Sequence, residues 1–382
     1  MMDIEKLIKH YASIKEQSIK GRTVTPEQVS CLLKRLNTGV EILGKSVMGH
    51  DICSFSVGRG SEKVLLWTQM HGNEPTATGA VFDIFNFLNN PGPFTGFADS
   101  LLDKFQLMFI PMLNPDGALL YRRTNAMDID LNRDARALSA PESRILRTAR
   151  DNFSPHYCFN LHDQRNIYNV CGTGKTATIS FLAPAEGPDR AVTMNRQRSM
   201  ALIAAMNAAV QHIIPGCVGR YSDEFYPTAT GDNFQKDGFV TMLIESGTYP
   251  GDPERQTARL CNFTAILAAL EYVNSGCGHD EAMTGDYFSI PENGQKMLDI
   301  LVKNVKIALN GIETIVDIGV MFDEKPAPDR NSMLKRCVIE NIGDLSAYFG
   351  IETLDAGGKF MRGYTEKCPQ TGCEINYPVD FE

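Results

Sequence analysis

Three features are missing from this sequence, and each absence argues against a class of protein. No apolar run approaches the roughly 20 residues that a membrane-spanning helix needs. Basic residues are not in excess: the net charge is −9, which disfavours nucleic acid or an anionic membrane as the main partner. Residues 1–7 include acidic side chains and lack an apolar core of signal-peptide length. If Met1 is the native start, we therefore expect a cytoplasmic protein.

The cysteines also lack the dense spacing that is typical of a disulfide-bonded domain. Ten are scattered along 382 residues, and a cytosolic setting would keep them reduced. Cys368 and Cys373 are the one close pair, and without a second pair they favour a structural or incidental role over a metal knuckle. The sequence contains no internal repeat and no low-complexity segment. What remains is a globular chain long enough for one large domain and a smaller one.

The order of the predicted elements indicates the fold class. Apolar, strand-like runs alternate with helical patterns through the first three quarters of the chain. This alternation predicts a three-layer α/β/α sandwich on a central mixed, largely parallel sheet. The runs that we assign to the central strands lie at 64–70, 107–112, 156–162 and 239–244.

A change in composition after residues 275–278 suggests a second domain. We assign residues 1–280 to the sandwich, including an N-terminal helical segment. Residues 281–382 are predicted to form a small α+β or β domain of unknown role, with one helix over about 292–308 followed by short β-prone runs.

The chain is organised around the stretch that runs from Val64 to Pro75. An apolar, strand-like run ends in His71-Gly-Asn-Glu74, and a helical pattern led by Pro75 follows. His71 and Glu74 would therefore leave the carboxyl end of a strand together, which is where open α/β sheets bind ligands. Imidazole and carboxylate are both good zinc ligands. A lone His-x-x-Glu is a weak signal, however, so the prediction needs further ligands from other strand ends.

Two more strand ends carry suitable side chains. His162 ends the run at 156–162 and is the natural third ligand, which gives a site of two histidines and one glutamate with a position open to water. Glu245 ends the run at 239–244 and is placed to act as the general base, because a carboxylate that is not a ligand must carry the proton. We predict one Zn²⁺ per chain, although other divalent ions fit the same ligands.

Five short motifs occur along the chain in a fixed order. They are His71-Gly-Asn-Glu74, Asn114-Pro-Asp-Gly117, Asp130-Leu-Asn-Arg-Asp134, Leu161-His162 and Glu245-Ser-Gly247. With these motifs the chain resembles the M14 family of zinc carboxypeptidases over about residues 40–275. This resemblance implies removal of C-terminal amino acids from peptides by zinc-activated water with a glutamate general base. It also implies that Asn132 and Arg133 bind the terminal carboxylate of the substrate.

The resemblance implies three further roles. Arg123 corresponds to the arginine that polarises the scissile carbonyl, with the adjacent Arg122 as the alternative. Tyr226 corresponds to the tyrosine that closes over the substrate, and Tyr221 is a lesser candidate. Asp232 would occupy the position that sets side-chain specificity, where an acid would favour a basic terminal residue; it is equally consistent with a solvated loop aspartate.

Other functions remain open from the sequence. A deacylase of N-acyl amino acids, of the aspartoacylase or succinylglutamate desuccinylase type, shares the His-x-x-Glu motif, the Asn-Arg pair and the later His and Glu. A carboxypeptidase acting on cell-wall peptides would suit the same site. A third possibility is a catalytically inactive module that binds peptide tails. In each case the expected partner is a peptide or an acyl-amino acid with a free carboxylate.

Overall fold

The computed structural model describes residues 2–276, 282–330, 332–362 and 368–382. The chain forms two compact units: Met1–Gln164 with Thr178–Glu292, and Arg165–Ala177 with Asn293–Glu382. The domain boundary assigned from the sequence, between residues 280 and 281, lies outside the described residues.

Strands and helices alternate through the first unit, and strands dominate the end of the chain. The strands are β1 (Val40–Lys45), β2 (Asp51–Val57), β3 (Glu62–Trp67), β4 (Phe105–Ile110), β5 (Tyr157–Asp163), β6 (Asn169–Val170), β7 (Ile179–Leu182), β8 (Val218–Arg220), β9 (Val240–Ser246), β10 (Asn293–Gly294), β11 (Met297–Leu309), β12 (Ile312–Pro326), β13 (Met333–Gly343), β14 (Phe349–Asp355) and β15 (Glu374–Ile375). The helices are α1 (Ile4–Ile14), α2 (Pro26–Leu33), α3 (Thr76–Asn89), α4 (Thr95–Lys104), α5 (Pro115–Leu120), α6 (Pro141–Phe153), α7 (Met194–Val210), α8 (Thr230–Lys236), α9 (Gln256–Asn274) and α10 (Ala282–Ser289), with 3₁₀ turns at Gly92–Phe94 and Leu131–Arg133.

The first unit is built on a mixed eight-stranded sheet with the order β1-β2-β4-β3-β5-β9-β7-β8. Strands β4, β3, β5 and β9 run parallel to one another at its centre. Both faces of this centre are buried. Phe159 and Leu161 of β5 pack with α3, α7 and α9, whereas Cys158 packs with α6 and α8 on the opposite face. The predicted three-layer sandwich with a mixed, largely parallel sheet is therefore confirmed.

A buried charge network attaches the N-terminal helix to the sandwich. Arg259 of α9 donates from Nε and Nη2 to the two carboxylate oxygens of Asp83 in α3, at 2.7 and 2.6 Å. The hydroxyl of Tyr11 in α1 donates to the same carboxylate at 2.6 Å. Arg259 also donates to the carbonyls of Glu16 and Ile19, just after α1. Because the two charged partners are almost fully buried, this network joins three helices through one carboxylate.

The second unit, where the structure describes it, contains only strands as regular elements. Its five-stranded sheet has the order β14-β11-β12-β13-β15, and β6 pairs with β10 beside it. The sequence-based prediction of a helix over about 292–308 is wrong, because this stretch forms β11. The run from Met297 to Val302 is buried at every position and rich in β-branched and leucine side chains, a pattern that a helix and a buried strand share.

Candidate metal centre

The first two candidate ligands lie on a tight loop between β3 and α3. The amide of Glu74 donates to the carbonyl of His71 at 3.1 Å, which brings both side chains to one side of the loop. Gly72 lies between them against the backbone of α5. A Cβ at this position would lie 1.9 Å from the carbonyl carbon of Gly117, so no other residue fits without moving the loop. The glycine of the His-Gly-Asn-Glu motif is therefore a packing requirement.

The Asn114-Pro-Asp-Gly117 motif supports this loop and the neighbouring hairpin. The Asn114 side chain accepts from the amide of Gly117 at 2.8 Å and donates to the carbonyl of Met70 at 3.2 Å. Asp116 is fully buried and accepts from the hydroxyl of Ser46 at 2.6 Å. These contacts hold α5 against the end of β3, next to His71.

Three buried side chains converge at the carboxyl end of the sheet. His71 Nδ1 and His162 Nδ1 each lie 2.9 Å from Glu74 Oε2, and the two nitrogens are 3.1 Å apart. Each of the three side chains is at most 10% exposed. Within the described residues, this is the group of His, Cys, Asp and Glu side chains with ligand spacing. The structure thus brings together the three predicted metal ligands.

The chemistry of these donors fits a bound cation. Two imidazole nitrogens and one carboxylate oxygen lie about 3 Å apart in a buried site, and these are ligand types that zinc accepts. Burial alone would lower the pKa of His71, but the carboxylates of Glu74 and Asp130 raise it. Burial lowers the pKa of His162 to about 4, which leaves this imidazole neutral and able to act as a ligand.

Asp130 is a site residue to which the sequence analysis gave no role. Its Oδ1 lies 3.1 Å from Nε2 of His71, and its Oδ2 accepts from Nε of Arg123 at 2.9 Å. Burial would raise the pKa of Asp130, but His71 and Arg123 hold it well below its usual range. An ionised carboxylate can only accept, so Nε2 of His71 carries a hydrogen, and Nδ1 is the nitrogen that would bind a metal. In the sequence, the sign of this role was that Asp130 is the first residue of the Asp-Leu-Asn-Arg motif.

We expect Asp130→Asn to lower metal affinity by about 10- to 100-fold, since partners of ligating histidines contribute on this scale. Metal affinity can be measured by competition with a chelator of known affinity. Asp128→Asn is the matched control, because Asp128 lies in the same loop and its side chain is 82% exposed. Equal metal affinity of the two variants would contradict the role assigned to Asp130.

The candidate general base lies beside the third ligand. Glu245 of β9 is the register partner of His162 of β5. Burial raises the pKa of Glu245 well above its usual range, and the nearby Glu74 and Asp163 raise it further. Burial raises the pKa of Asp163 to about 6 despite the opposing effect of Arg255, whose guanidinium lies 3.5 Å away. The sequence analysis also missed this second buried acid, one residue after His162.

Arg255 joins the ends of β5 and β9. It is buried and donates to the carbonyl of Ser246 at 2.7 Å and to the carbonyl of Gln164 at 2.9 Å. These bonds fix the two strand ends that carry His162 and Glu245. Its position at the start of α9 gave no sequence signal for such a role.

The two adjacent arginines point to different partners. Arg123 donates from Nη1 to Glu74 Oε1 at 3.3 Å, in addition to its bond with Asp130. Arg122 instead donates to the carbonyl of Asn125 and lies 3.8 Å from the carboxylate of Asp128. Of the two arginines, Arg123 is the one whose side chain contacts a candidate metal ligand, Glu74.

The predicted carboxylate-binding pair lies on the 3₁₀ turn after Asp130. Asn132 is buried, and its Oδ1 accepts from the amide of Thr230 at 3.1 Å. Arg133 donates from Nη1 to the carbonyl of Asn132 at 2.8 Å, and its guanidinium lies over the ring of Tyr226 at 5.1 Å. Tyr226 is 46% exposed. The structure therefore brings Tyr226 to the predicted carboxylate-binding residues.

Asp232 is buried in the first turn of α8. Its Oδ1 accepts from the amide of Tyr226 at 3.1 Å. Burial raises the pKa of Asp232 to about 6, against the lowering effects of that amide and of Arg133. The role of Asp232 in specificity stays a prediction. Tyr221, the lesser candidate for the closing tyrosine, donates its amide to the carbonyl of Phe181 at the edge of the sheet.

A separate groove of about 740 Å³ lies between α2 and the β1–β2 hairpin. Cys31, Ile42 and His50 are among its lining residues, and none of the predicted site residues contributes to it. The candidate metal ligands are thus not part of this groove. No helix among the described residues has the length and apolar character needed to cross a membrane.

The zinc carboxypeptidase model of the peptidase M14 family matches residues 34–186. The predicted resemblance to the M14 family is confirmed. The matched range contains the three candidate ligands, Arg123 and the Asn132-Arg133 pair; Glu245 lies beyond it. A probable carboxypeptidase 2 from Arthroderma benhamiae is 30% identical over 105 residues, which are 27% of this chain and only 19% of that protein.

Two solved structures show the same fold. A metallo-carboxypeptidase from Burkholderia cenocepacia superposes with a TM-score of 0.54 at 18% identity, over 66% of this chain and 70% of that chain. Carboxypeptidase A from Helicoverpa armigera gives a TM-score of 0.53 at 15% identity, over 71% of this chain and 81% of that chain. The first unit therefore has a carboxypeptidase-like fold.

Proposed function

We propose that this protein is a zinc-dependent metallocarboxypeptidase that removes C-terminal residues from peptides. The observation that carries the proposal is the convergence of His71 Nδ1, Glu74 Oε2 and His162 Nδ1 within about 3 Å of one another beside Glu245. His71, Glu74 and His162 would hold one Zn²⁺. When bound, zinc lowers the pKa of a coordinated water and polarises a carbonyl oxygen.

Glu245 is the general base in this proposal. It lies in register with His162 but is not one of the three converging ligands, so its carboxylate is available for proton transfer. It takes the proton from the attacking water and delivers it to the leaving amine. A pKa raised by burial favours this second step, because it makes the protonated carboxyl easier to form.

Arg123 stabilises the negative charge that develops on the scissile carbonyl. Its side chain is 46% exposed, and Asp130 holds it in place through Nε. Guanidinium has five N–H donors, so the bonds to Asp130 and Glu74 leave donors for the substrate. Donors that are already aimed at the developing oxyanion contribute strongly to the acceleration of acyl transfer.

Asn132 and Arg133 bind the free carboxylate, and Tyr226 covers it. The exposed Arg133 guanidinium can pair with a carboxylate through two parallel bonds, which selects the chain terminus over an internal peptide bond. The contact between Arg133 and Tyr226 supports a closing role for the tyrosine. Asp232, through its bond to the Tyr226 amide, would position this loop; recognition of a basic side chain by Asp232 stays a prediction.

The test is mass spectrometry of a diverse peptide mixture incubated with zinc-loaded protein, with and without a chelator. We expect loss of single C-terminal residues that the chelator abolishes and that added zinc restores. Peptides that all survive would contradict the carboxypeptidase function, and N-acyl amino acids and cell-wall peptides would then be tested. Trimming that continues in the presence of the chelator would contradict the metal-dependent mechanism.

A further inference from the structure

Arg255 combines a strained backbone with a buried charge at the carboxyl end of the sheet. It directly precedes α9 and has a φ of 53° and a ψ of 30°, in the left-handed region that residues with a Cβ rarely adopt. Its side chain is only 5% exposed. A strained backbone and a desolvated cation both oppose folding, and strained residues concentrate at functional sites. A role in the neighbouring site would account for both features.

The guanidinium of Arg255 joins the two strands that carry His162 and Glu245. It donates from Nη1 to the carbonyl of Ser246 at 2.7 Å and from Nη2 to the carbonyl of Gln164 at 2.9 Å. Ser246 directly follows Glu245, and Gln164 comes two residues after His162. The amide of Gln164 also donates to the carbonyl of Ser246 at 2.8 Å. The ends of β5 and β9 are thus fixed by one side chain in addition to the backbone ladder.

The same guanidinium is connected to the loop of the first two candidate ligands through Asp163. Nη1 of Arg255 lies 3.5 Å from Asp163 Oδ2, and that oxygen accepts from the hydroxyl of Thr76 at 2.7 Å. Thr76 begins α3, two residues after Glu74. The amide of Asp163 donates to Glu74 Oε2 at 3.1 Å. Arg255 and Asp163 therefore connect the strand end after Glu245 to the loop that carries Glu74.

A second side chain of α9 contacts the residue that follows Glu245. Asn262 lies about two helical turns after Arg255, and its Nδ2 donates to Ser246 Oγ at 2.8 Å. Ser246 is fully buried, and because side chains alternate along a strand, it points to the opposite face of the sheet from Glu245. Arg255 thus holds Ser246 at its carbonyl and Asn262 holds it at its hydroxyl. These contacts restrain the backbone that carries the Glu245 side chain.

We propose that Arg255 is a positioning residue for the general base: it holds the carboxylate of Glu245 within reach of the water that this carboxylate deprotonates. The inference rests on the proposed function, in which Glu245 takes the proton of the attacking water. Proton transfer needs heavy atoms within about 2.6–3.2 Å of each other, so a small displacement of β9 is enough to impair it. Arg255 acts only through the strand end and does not contact the substrate. Its loss should therefore lower kcat and leave substrate binding unchanged.

The kinetic test compares Arg255→Gly and Arg255→Ala with the wild type in peptide trimming, well below the Tm of each variant. Both variants lack the guanidinium, but glycine also relieves the left-handed backbone, so Arg255→Gly should have the higher Tm. We expect kcat to fall about 10- to 100-fold in both, because a misplacement of about 1 Å costs on this scale. Zinc content and the inhibition constant of the free amino-acid product should match the wild type. A kcat that recovers in Arg255→Gly in step with its Tm would show a merely structural role and overturn the assignment.

Arg255→Lys tests rescue, and Arg259→Lys is the matched control. Lysine keeps the charge and its donors but lacks the rigid fork, so Arg255→Lys should recover part of the kcat that Arg255→Ala loses. Arg259 is also buried in α9, about one turn further on, but it donates to Asp83 at 2.6 Å and not to the strand ends. Arg259→Lys should lower Tm and leave kcat unchanged. A fall in kcat as large in Arg259→Lys as in Arg255→Lys would overturn the positioning role.

The choice of substrates separates this inference from the proposed activity. If the wild type trims peptides and Arg255→Ala has an unchanged kcat, the positioning role is overturned and the carboxypeptidase stands. If the wild type hydrolyses only N-acyl amino acids, the carboxypeptidase fails, and a 10- to 100-fold fall in kcat on those substrates, about the range expected for peptides, still supports Arg255. A fall in kcat that matches a loss of zinc would show that Arg255 positions the ligands rather than Glu245, which overturns the assignment. A wild type that cleaves neither class of substrate overturns both.

Discussion

Replacing Glu245 with glutamine should abolish turnover and leave the metal centre intact. Glutamine has nearly the same volume but cannot accept a proton, so the loss should reach roughly 10³-fold or more in kcat, within the range of general base catalysis. Zinc content should stay near one per chain, because the converging ligand atoms come from His71, Glu74 and His162. Thermal stability should be equal or higher, since the substitution removes a buried carboxyl whose ionisation is unfavourable.

The experiment measures kcat, bound zinc and Tm on the same preparations. Glu186→Gln is the matched control: Glu186 is half-buried, accepts from the hydroxyl of Thr193 at 2.6 Å and lies outside the proposed machinery. Its kcat should stay within a factor of two or so of the wild type. If Glu245→Gln kept a tenth of the activity or more, another group would have to be the base. A loss of zinc in this variant would instead place Glu245 among the ligands.

The candidate metal ligands could be predicted because they lie at or near strand ends in the sequence. An apolar run that stops at a histidine indicates both a buried strand and the end of the sheet at which its side chain emerges. His71 and His162 follow this rule, Glu74 lies three residues after His71, and the structure brings the three side chains together. The same apolar runs also predicted the α/β/α sandwich, because buried parallel strands need helices on both faces of their sheet.

The residues that surround the candidate metal ligands have weaker signatures in the sequence. Asp130 and Asp163 differ from ordinary loop aspartates only through contacts with residues far along the chain, such as His71 and Arg255. Contacts of this kind depend on tertiary packing, which local patterns do not encode.

The misassigned helix has a similar cause. The run from Met297 to Val302 offers no alternation with which to separate a strand from a buried helix. What decides its conformation is pairing with β12 and β14, whose partners lie up to about 50 residues further along the chain. The short pairing of β6 with β10 also joins residues that are distant in sequence, Val170 and Asn293, and no sequence motif predicts it.

The largest effect on stability is expected at Asp83, far from any motif. Asp83→Ala would leave the guanidinium of Arg259 and the hydroxyl of Tyr11 buried without their carboxylate. Breaking one partner of a buried ion pair costs about 3–5 kcal/mol. For a unit of this size, this corresponds to a fall in Tm of about 10 °C. Limited proteolysis should cut first near α1, because Asp83 also accepts from the amide of Glu16 at 2.7 Å, just after that helix.

Two further variants distinguish loss of the buried Asp83–Arg259 ion pair from a simple loss of packing. Asp83→Leu combined with Arg259→Met replaces both charges by apolar groups and should recover much of the Tm lost in Asp83→Ala, because neither variant residue is then an unpaired buried charge. Asp103→Asn is the control for a surface ion pair: Asp103 and Arg59 are 59% and 84% exposed, so the change should stay within about 0.5 kcal/mol. A double variant no more stable than Asp83→Ala would show that the buried charges themselves stabilise the attachment of α1. An Asp83→Ala protein with an unchanged Tm would show instead that apolar packing of α1 carries that attachment.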